Sequence, residues 1–98
     1  MDDEAKTEES KKIYTVTVLK GADKAIGRLG SKEQKQVRAA IDELANEPRP
    51  VGYIKLKGEH DPPQYRVRTG DYRIIYNIDD EIVTVTVINA GHRKDIYE

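Results

Sequence analysis

The sequence contains no cysteine, tryptophan or phenylalanine. The absence of cysteine excludes disulfide bonds, thiolate metal sites and a cysteine nucleophile. The two histidines, His60 and His92, lie far apart and lack metal-ligand spacing, so neither a zinc site nor another cofactor is expected. The apolar runs are much shorter than a membrane span, and no charged-then-apolar leader opens the chain. We therefore expect a cytoplasmic protein.

Acidic charge is concentrated at the start of the chain. Residues 1–10 hold five carboxylates and one lysine, whereas the 98-residue chain as a whole holds 17 basic and 18 acidic side chains. The remaining positions therefore carry 16 basic and 13 acidic residues, a net charge of +3. An acidic segment without aromatic residues buries too little apolar surface to order itself. We predict that residues 1–11 form a flexible extension and that residues 12–98 form a single domain.

The first half of the chain predicts one strand followed by two helices. Residues 13–19 alternate β-branched and aromatic side chains, which indicates a strand. Helical spacing predicts a short helix over 22–29 and a longer one over 31–46. The longer helix is expected to start with a capping box formed by Ser31 and Gln34. This helix hairpin should cover one face of a sheet, which gives an α+β fold with a small, mainly antiparallel twisted sheet.

The second half predicts an antiparallel meander of strands at 64–69, 72–78 and 82–89. A two-residue turn at Gly70-Asp71 keeps apolar residues on one face and pairs Arg68 with Arg73. A second turn, at Asp80-Glu81, then sets Ile78 opposite Val83, Tyr76 opposite Val85, Ile74 opposite Val87 and Arg73 opposite Ile88.

The face turned away from the helices is predicted to carry Arg66, Arg68 and Arg73. After a turn at 89–91, the terminal His92, Arg93 and Tyr97 should fold back beside them. Arginines on an open sheet face are usually ordinary solvated residues. Adjacent like charges destabilise a sheet, however, unless an anion lies against them, and guanidinium binds phosphate through a planar fork. The cluster therefore favours a nucleic-acid backbone as ligand.

Cleavage of RNA requires few further groups, because the 2′-hydroxyl of RNA is the nucleophile. Arginines can stabilise the phosphorane but cannot act as bases near neutral pH. Proton transfer is assigned to His92, the side-chain type that titrates near neutrality, or to Tyr97. The alternatives are a turn role for His92 and apolar packing for Tyr97. Lys55 and Lys57 either hold phosphates at the edge of the site or only solvate a loop.

The string LKGEHDPPQYRVRTGDYRIIYNIDDEIVTVTVINAGHRKDIY resembles the RelE family of type II toxin–antitoxin toxins, within the RelE/ParE superfamily. The resemblance extends from Ile13 to Tyr97, and its most specific elements are YRVRxGDYRIIY and GHRxDIY. It implies the RelE-like microbial ribonuclease fold and a ribosome-dependent endoribonuclease. Such a toxin enters the ribosomal A site, cuts messenger RNA by 2′-hydroxyl attack, leaves a cyclic phosphate, and is silenced by an antitoxin in a hetero-oligomer.

Carried over by residue, the resemblance assigns the phosphate-stabilising arginines to Arg73 and Arg93 and the C-terminal stacking or proton-handling tyrosine to Tyr97. Well-known members carry lysines where this chain has Arg66, Arg68 and His92. Some also have a C-terminal helix, for which there is no sequence beyond Glu98.

Two other functions fit the same pattern. One is a ParE-like toxin that poisons DNA gyrase without nuclease activity, and the other is a basic RNA-binding module. The combination of Arg73, Arg93 and a tyrosine close behind them favours the nuclease, because gyrase poisoning does not need a phosphorane-stabilising set.

Overall fold

Two helices pack on one face of a five-stranded sheet in the computed structural model, which describes residues 12–96. The helices are α1 (Lys20–Gly27) and α2 (Ser31–Glu43); the strands are β1 (Thr15–Val18), β2 (Ile54–Lys55), β3 (Gln64–Thr69), β4 (Tyr72–Asp79) and β5 (Thr84–His92). The sheet order is β1-β5-β4-β3-β2, with β1 parallel to β5 and all other pairs antiparallel. This arrangement confirms the predicted fold class.

The flexible extension predicted for residues 1–11 lies outside the described residues. Within residues 12–96, neither helix has the length and apolar character needed to cross a bilayer.

The predicted capping box at the start of α2 is wrong. Gly30 is the N-cap residue, and no side chain caps the helix. The amide of Gln34 instead donates from Nε2 to the carbonyl oxygens of Leu29, at 2.9 Å, and Gly27, at 3.3 Å. Gln34 therefore holds the loop between the two helices, because its amide satisfies carbonyls that α1 leaves open at its end.

The main core lies between the helices and the sheet. Its fully buried members include Ile26 from α1, Val37 from α2, and Ile74, Tyr76 and Val87 from the sheet. The hydroxyl of Tyr76 donates to the carbonyl oxygen of Pro48 at 2.8 Å, so this buried polar group is paired. Burial raises the pKa of Tyr76, which keeps the ring neutral inside the core.

The β3–β4 register is confirmed. Arg68 lies opposite Arg73, and Thr69 lies opposite Tyr72. Gly70 has φ +60°, the left-handed conformation that the first position of a type II′ turn requires. A glycine in that position and the alternation of apolar residues were together sufficient to fix this hairpin.

The predicted β4–β5 register is wrong by two residues, and by three beyond a bulge. Tyr76 lies opposite Val87 instead of Val85, and Arg73 lies opposite Gly91 instead of Ile88. The connecting loop is longer than predicted and includes Val83 at φ +51°. The shift between Ile75 and Tyr76 then adds one residue to β5. Residues 89–91, predicted to form a turn, are therefore part of the strand.

A second apolar cluster lies on the sheet face turned away from the helices. It consists of Leu56, Ile75 and Ile96, which are buried, with Ile88 packed against them. Leu56 directly follows β2, a two-residue edge strand that has no sequence pattern of its own and was not predicted. This face is therefore partly covered, whereas the sequence predicted an open one.

Candidate active site and nucleic-acid interface

Arg68 and Arg73 lie directly opposite each other at the hairpin end of β3 and β4. Directly paired residues project to the same face of a sheet, and Arg73 alternates with the core residues Tyr72 and Ile74. Both guanidinium groups therefore belong to the face away from the helices, here called the arginine face. Arg68 is exposed and Arg73 is half-buried. A like-charged cross-strand pair costs roughly 0.2–1 kcal/mol, so this arrangement suits an anionic ligand.

Arg66 shares this face but is buried, with only 7% of its surface exposed. It lies between Ile54 of β2 and Ile75 of β4, beside the second apolar cluster. The sequence predicted an exposed phosphate contact at this position. The structure instead places this guanidinium within the sheet, where little of it is accessible to a ligand.

Arg93 is held at the same end of the sheet. Its backbone N–H donates to the carbonyl oxygen of Asp71 at 2.7 Å, and its Nε lies 3.9 Å from Asp71 Oδ1. The side chains of Arg93 and Asp71 are 59% and 67% exposed. Asp71 and Arg73 are two residues apart, so Arg93 lies beside the arginine face, as the sequence predicted. A phosphate could displace the exposed carboxylate, because a contact of this length in solvent is weak.

His92 does not lie on the arginine face. It pairs with Tyr72, and the two rings meet edge to face with their centres 5.4 Å apart. Tyr72 packs against the helix-side core, so the imidazole also belongs to that side. Nδ1 accepts the backbone N–H of Lys94 at 3.1 Å. The predicted position beside the arginines is therefore wrong, and the structure forms the turn contact that was considered as the alternative.

The remaining residues predicted to contact RNA are Lys55 and Lys57, in and after the edge strand β2, and Tyr97, near the end of the chain. Lys55 is exposed and lies opposite Tyr65, whose ring packs on the helix side, so Lys55 is separated from the arginine face. Lys57 is exposed in the loop after β2. Tyr97 lies outside the described residues, and its assigned role stays a prediction.

The sequence of residues 12–97 matches a family model described as the ParE toxin of the type II toxin–antitoxin system parDE. The match spans every described element of the fold, including both arginine-bearing strands. The chain is a member of the RelE/ParE toxin superfamily.

Relatives within this superfamily carry the RelE name. The chain is 34% identical over 67 residues to the mRNA interferase toxin RelE of Escherichia coli strain K12, covering 68% of this chain and 70% of the relative. It is 39% identical over 61 residues to the toxin RelG of Mycobacterium tuberculosis, covering 62% and 68%. The fold matches the archaeal RelE–RelB complex of Pyrococcus horikoshii OT3 with a TM-score of 0.73 and 30% identity, covering 86% of this chain and 99% of that one.

Two residues of this RelE/ParE toxin were missed by the sequence reasoning. Asp71 was treated only as a turn residue, although its carboxylate lies 3.9 Å from Arg93 Nε. Ile96 was passed over inside the motif GHRxDIY, yet it is buried in the second cluster. Its Cδ1 comes within 3.4 Å of where a Cβ on Gly91 would lie, so Ile96 closes over the glycine opposite Arg73. An isoleucine directly after the charged residues 93–95 was the feature of the sequence that could have predicted this burial.

The opposite end of the RelE/ParE domain contains a different kind of arginine site. Arg49 donates to both carboxylate oxygens of Asp80, at 3.3 and 2.9 Å, and Tyr14 donates to Asp80 Oδ1 at 2.6 Å. The guanidinium carbon of Arg49 also lies 5.9 Å from the ring centre of Tyr65. The hydrogen bonds from Arg49 and Tyr14 hold the pKa of Asp80 below its usual range. This network ties β1 and the loop after α2 to the β4–β5 turn.

Proposed function

We propose that this protein is the toxin of a type II toxin–antitoxin system and cleaves messenger RNA in the A site of the ribosome. The observation that carries the proposal is the gathering of Arg68, Arg73 and Arg93 at one end of the sheet, in a chain whose relatives include an mRNA interferase. Fixed guanidinium groups at one point on a sheet match the charge that develops on a phosphodiester as it is attacked.

The proposed reaction is attack of the RNA 2′-hydroxyl on the adjacent phosphorus, which leaves a cyclic phosphate and a free 5′-hydroxyl. Arg73 and Arg93 bind the non-bridging oxygens of the phosphorane, and Arg68 orients the backbone. These groups supply charge and position only, because guanidinium does not release its proton near neutral pH. Neither a metal ion nor another cofactor is part of this scheme.

Proton transfer is assigned to Tyr97 and His92. His92 lies on the opposite face of the sheet from Arg73, and its Nδ1 accepts the Lys94 N–H. Only Nε2 is therefore available to exchange a proton with RNA that passes around the end of the sheet where both residues lie. The exposed Lys55 and Lys57 are assigned to more distant phosphates, because Lys55 lies on the other side of the sheet from the arginines.

We further propose an antitoxin protein as partner, since solved relatives include RelE–RelB complexes from three organisms. The ribosome with its bound messenger RNA is the second partner. Because both proposed partners are met in the cytoplasm, a cytoplasmic location is part of this proposal. Residues 12–98 are proposed to act as one toxin domain, preceded by the acidic extension.

The second candidate is a gyrase poison, which the ParE description of the family model favours. It predicts no cut in messenger RNA and no dependence on Arg73 or Arg93. The nuclease is preferred because the chain gathers phosphate-binding groups that gyrase poisoning does not use.

Primer extension on translated messenger RNA after a short pulse of expression separates the two candidates, with a gyrase supercoiling assay run beside it. We expect 5′ ends spaced in phase with codons and unaffected supercoiling. Intact messenger RNA together with inhibited supercoiling would reject the nuclease in favour of the gyrase poison.

A further inference from the structure

The amide of Gln36 connects helix α2 to the hairpin that carries the arginines. Its Nε2 donates to the Thr69 carbonyl oxygen at 2.9 Å and to Thr69 Oγ1 at 3.3 Å. A Cβ built on Gly70 would lie 2.5 Å from this same nitrogen, so the amide lies directly against the turn. Gln36 is half-buried, and burial strengthens hydrogen bonds by excluding competing water. The side chain of Gln36 therefore connects the β3–β4 turn to the helix layer.

The same turn holds Arg93. Asp71 follows Gly70 and accepts the Arg93 backbone N–H at 2.7 Å, while its carboxylate lies 3.9 Å from Arg93 Nε. A continuous chain of contacts thus leads from Gln36 through Thr69, Gly70 and Asp71 to Arg93. Arg68 and Arg73 are held by their own strand pairing on either side of the turn, so movement of the turn changes the position of Arg93 relative to both.

We propose that Gln36 is a positioning residue for the cleavage reaction, acting through the hairpin turn to set Arg93 against Arg73. This inference rests on the proposed function, because it assigns Gln36 to the same site. Groups that stabilise a transition state lose much of their effect when displaced by as little as about 1 Å, even by a distant change. The amide of Gln36 donates to Thr69, so it acts on the arginines through the turn, and its effect is expected on the rate of the chemical step more than on ribosome binding.

Gln34 provides a matched control within the same helix. It is also half-buried and also donates its amide to backbone oxygens, but these belong to Gly27 and Leu29 in the loop between the helices. Replacing either glutamine with alanine removes two hydrogen bonds donated by the side-chain amide, at 2.9 and 3.3 Å in both cases, and should cost similar stability. Only Gln36 leads to the arginines.

The test compares Gln36→Ala, Gln36→Glu and Gln34→Ala in single-turnover cleavage of messenger RNA on programmed ribosomes. We expect both Gln36 variants to lower the maximal single-turnover rate constant about tenfold, with little change in the concentration that gives half of the maximal rate. Gln34→Ala should retain the wild-type rate constant. Glutamate keeps the size of the side chain but presents an acceptor to two oxygens, so it separates loss of the donor from loss of packing. Equal rates in Gln36→Ala and Gln34→Ala would overturn the proposal.

Two further measurements separate this inference from the proposed function. In an Arg93→Ala background, Gln36→Ala should cause no additional loss, because both changes remove the same positioned group. An additive loss would mean that Gln36 acts independently of Arg93 and would overturn the inference. Hydrogen exchange of the Arg93 amide, followed by NMR, should be faster in Gln36→Ala than in Gln34→Ala; equal exchange would also overturn it. Faster exchange combined with full cleavage by Arg93→Ala would instead reject the proposed role of Arg93 in catalysis.

Discussion

Arginine occupies both ends of the sheet, but in two different settings. At one end Arg49 makes two hydrogen bonds to Asp80, which also accepts the hydroxyl of Tyr14. At the other end Arg68 and Arg73 lie opposite each other, and the closest contact between Arg93 and a carboxylate of the described residues is 3.9 Å. In the first setting a single arginine pairs with a carboxylate, whereas the second brings three arginines to one end of the sheet.

Under the proposed function, one residue type serves stability at one end of this small domain and phosphate binding at the other. Arg49 joins segments that are distant in sequence, so its removal should affect folding. Arg73 and Arg93 are proposed to act on RNA, so their removal should affect cleavage. Changes at the two ends should therefore have separable effects on cleavage and on stability.

The largest effect is expected from Arg73→Ala or Arg93→Ala. Each should lower cleavage of A-site messenger RNA by about 100-fold or more, because each removes a donor to the phosphorane. Single-turnover kinetics on programmed ribosomes would measure the loss.

Arg49→Ala is the matched control for these two variants. It should cleave at the wild-type rate per folded molecule while losing about 1 kcal/mol of stability, which corresponds to a fall in Tm of roughly 4–8 °C. Full activity in Arg73→Ala or Arg93→Ala, or a large loss of activity without unfolding in Arg49→Ala, would contradict the division between the two ends.

A smaller effect is expected at His92. Asparagine places an oxygen close to the position of Nδ1, so His92→Asn should preserve the acceptor for the Lys94 N–H. It removes the imidazole that we assign to proton transfer, and we expect cleavage to fall about tenfold and its pH profile to change. A wild-type rate and profile in this variant would assign His92 to the turn alone.

The smallest effect concerns the acid stability of the Arg49 end. Because its partners hold the pKa of Asp80 below the unfolded value of about 3.9, the carboxylate stabilises the fold above that pH. The contribution is lost as the pH falls through the folded-state pKa. Thermal melts should therefore show wild type losing a few degrees more than Asp80→Asn between about pH 5 and 3. Parallel curves for the two proteins would show that this ion pair adds nothing measurable.

The elements that local chemistry specifies were predictable from the sequence. The β3–β4 hairpin followed from a glycine at a position of positive φ and from strict alternation, and this placed Arg68 against Arg73. The β4–β5 register failed because a bulge and a turn containing Val83 at positive φ leave no mark in an alternating pattern. A β-branched residue rarely adopts that conformation, so sequence rules point away from it.

The candidate site was predictable only in part, for a related reason. The pairing of Arg73 with Arg68 was predictable because both lie in regular strands joined by a tight turn, and Arg93 follows the last strand at the same end of the sheet. Arg66 lies between Ile54 and Ile75, and Ile54 belongs to β2, a two-residue strand that the sequence did not predict. The side of the sheet that His92 occupies depends on the bulge, since one extra residue in β5 reverses the alternation beyond it.

The parallel pairing of β1 with β5 also has a consequence for the timing of assembly. Thr15 lies opposite Thr84, and both helices and all other strands come between them in sequence. Because β5 separates β1 from β4, the sheet cannot close before translation has passed β5. Pairing between such distant segments is slow to form. A ribosome that synthesises this chain therefore holds only an incomplete sheet until late in elongation, which delays the appearance of an assembled toxin domain beside its own translation machinery.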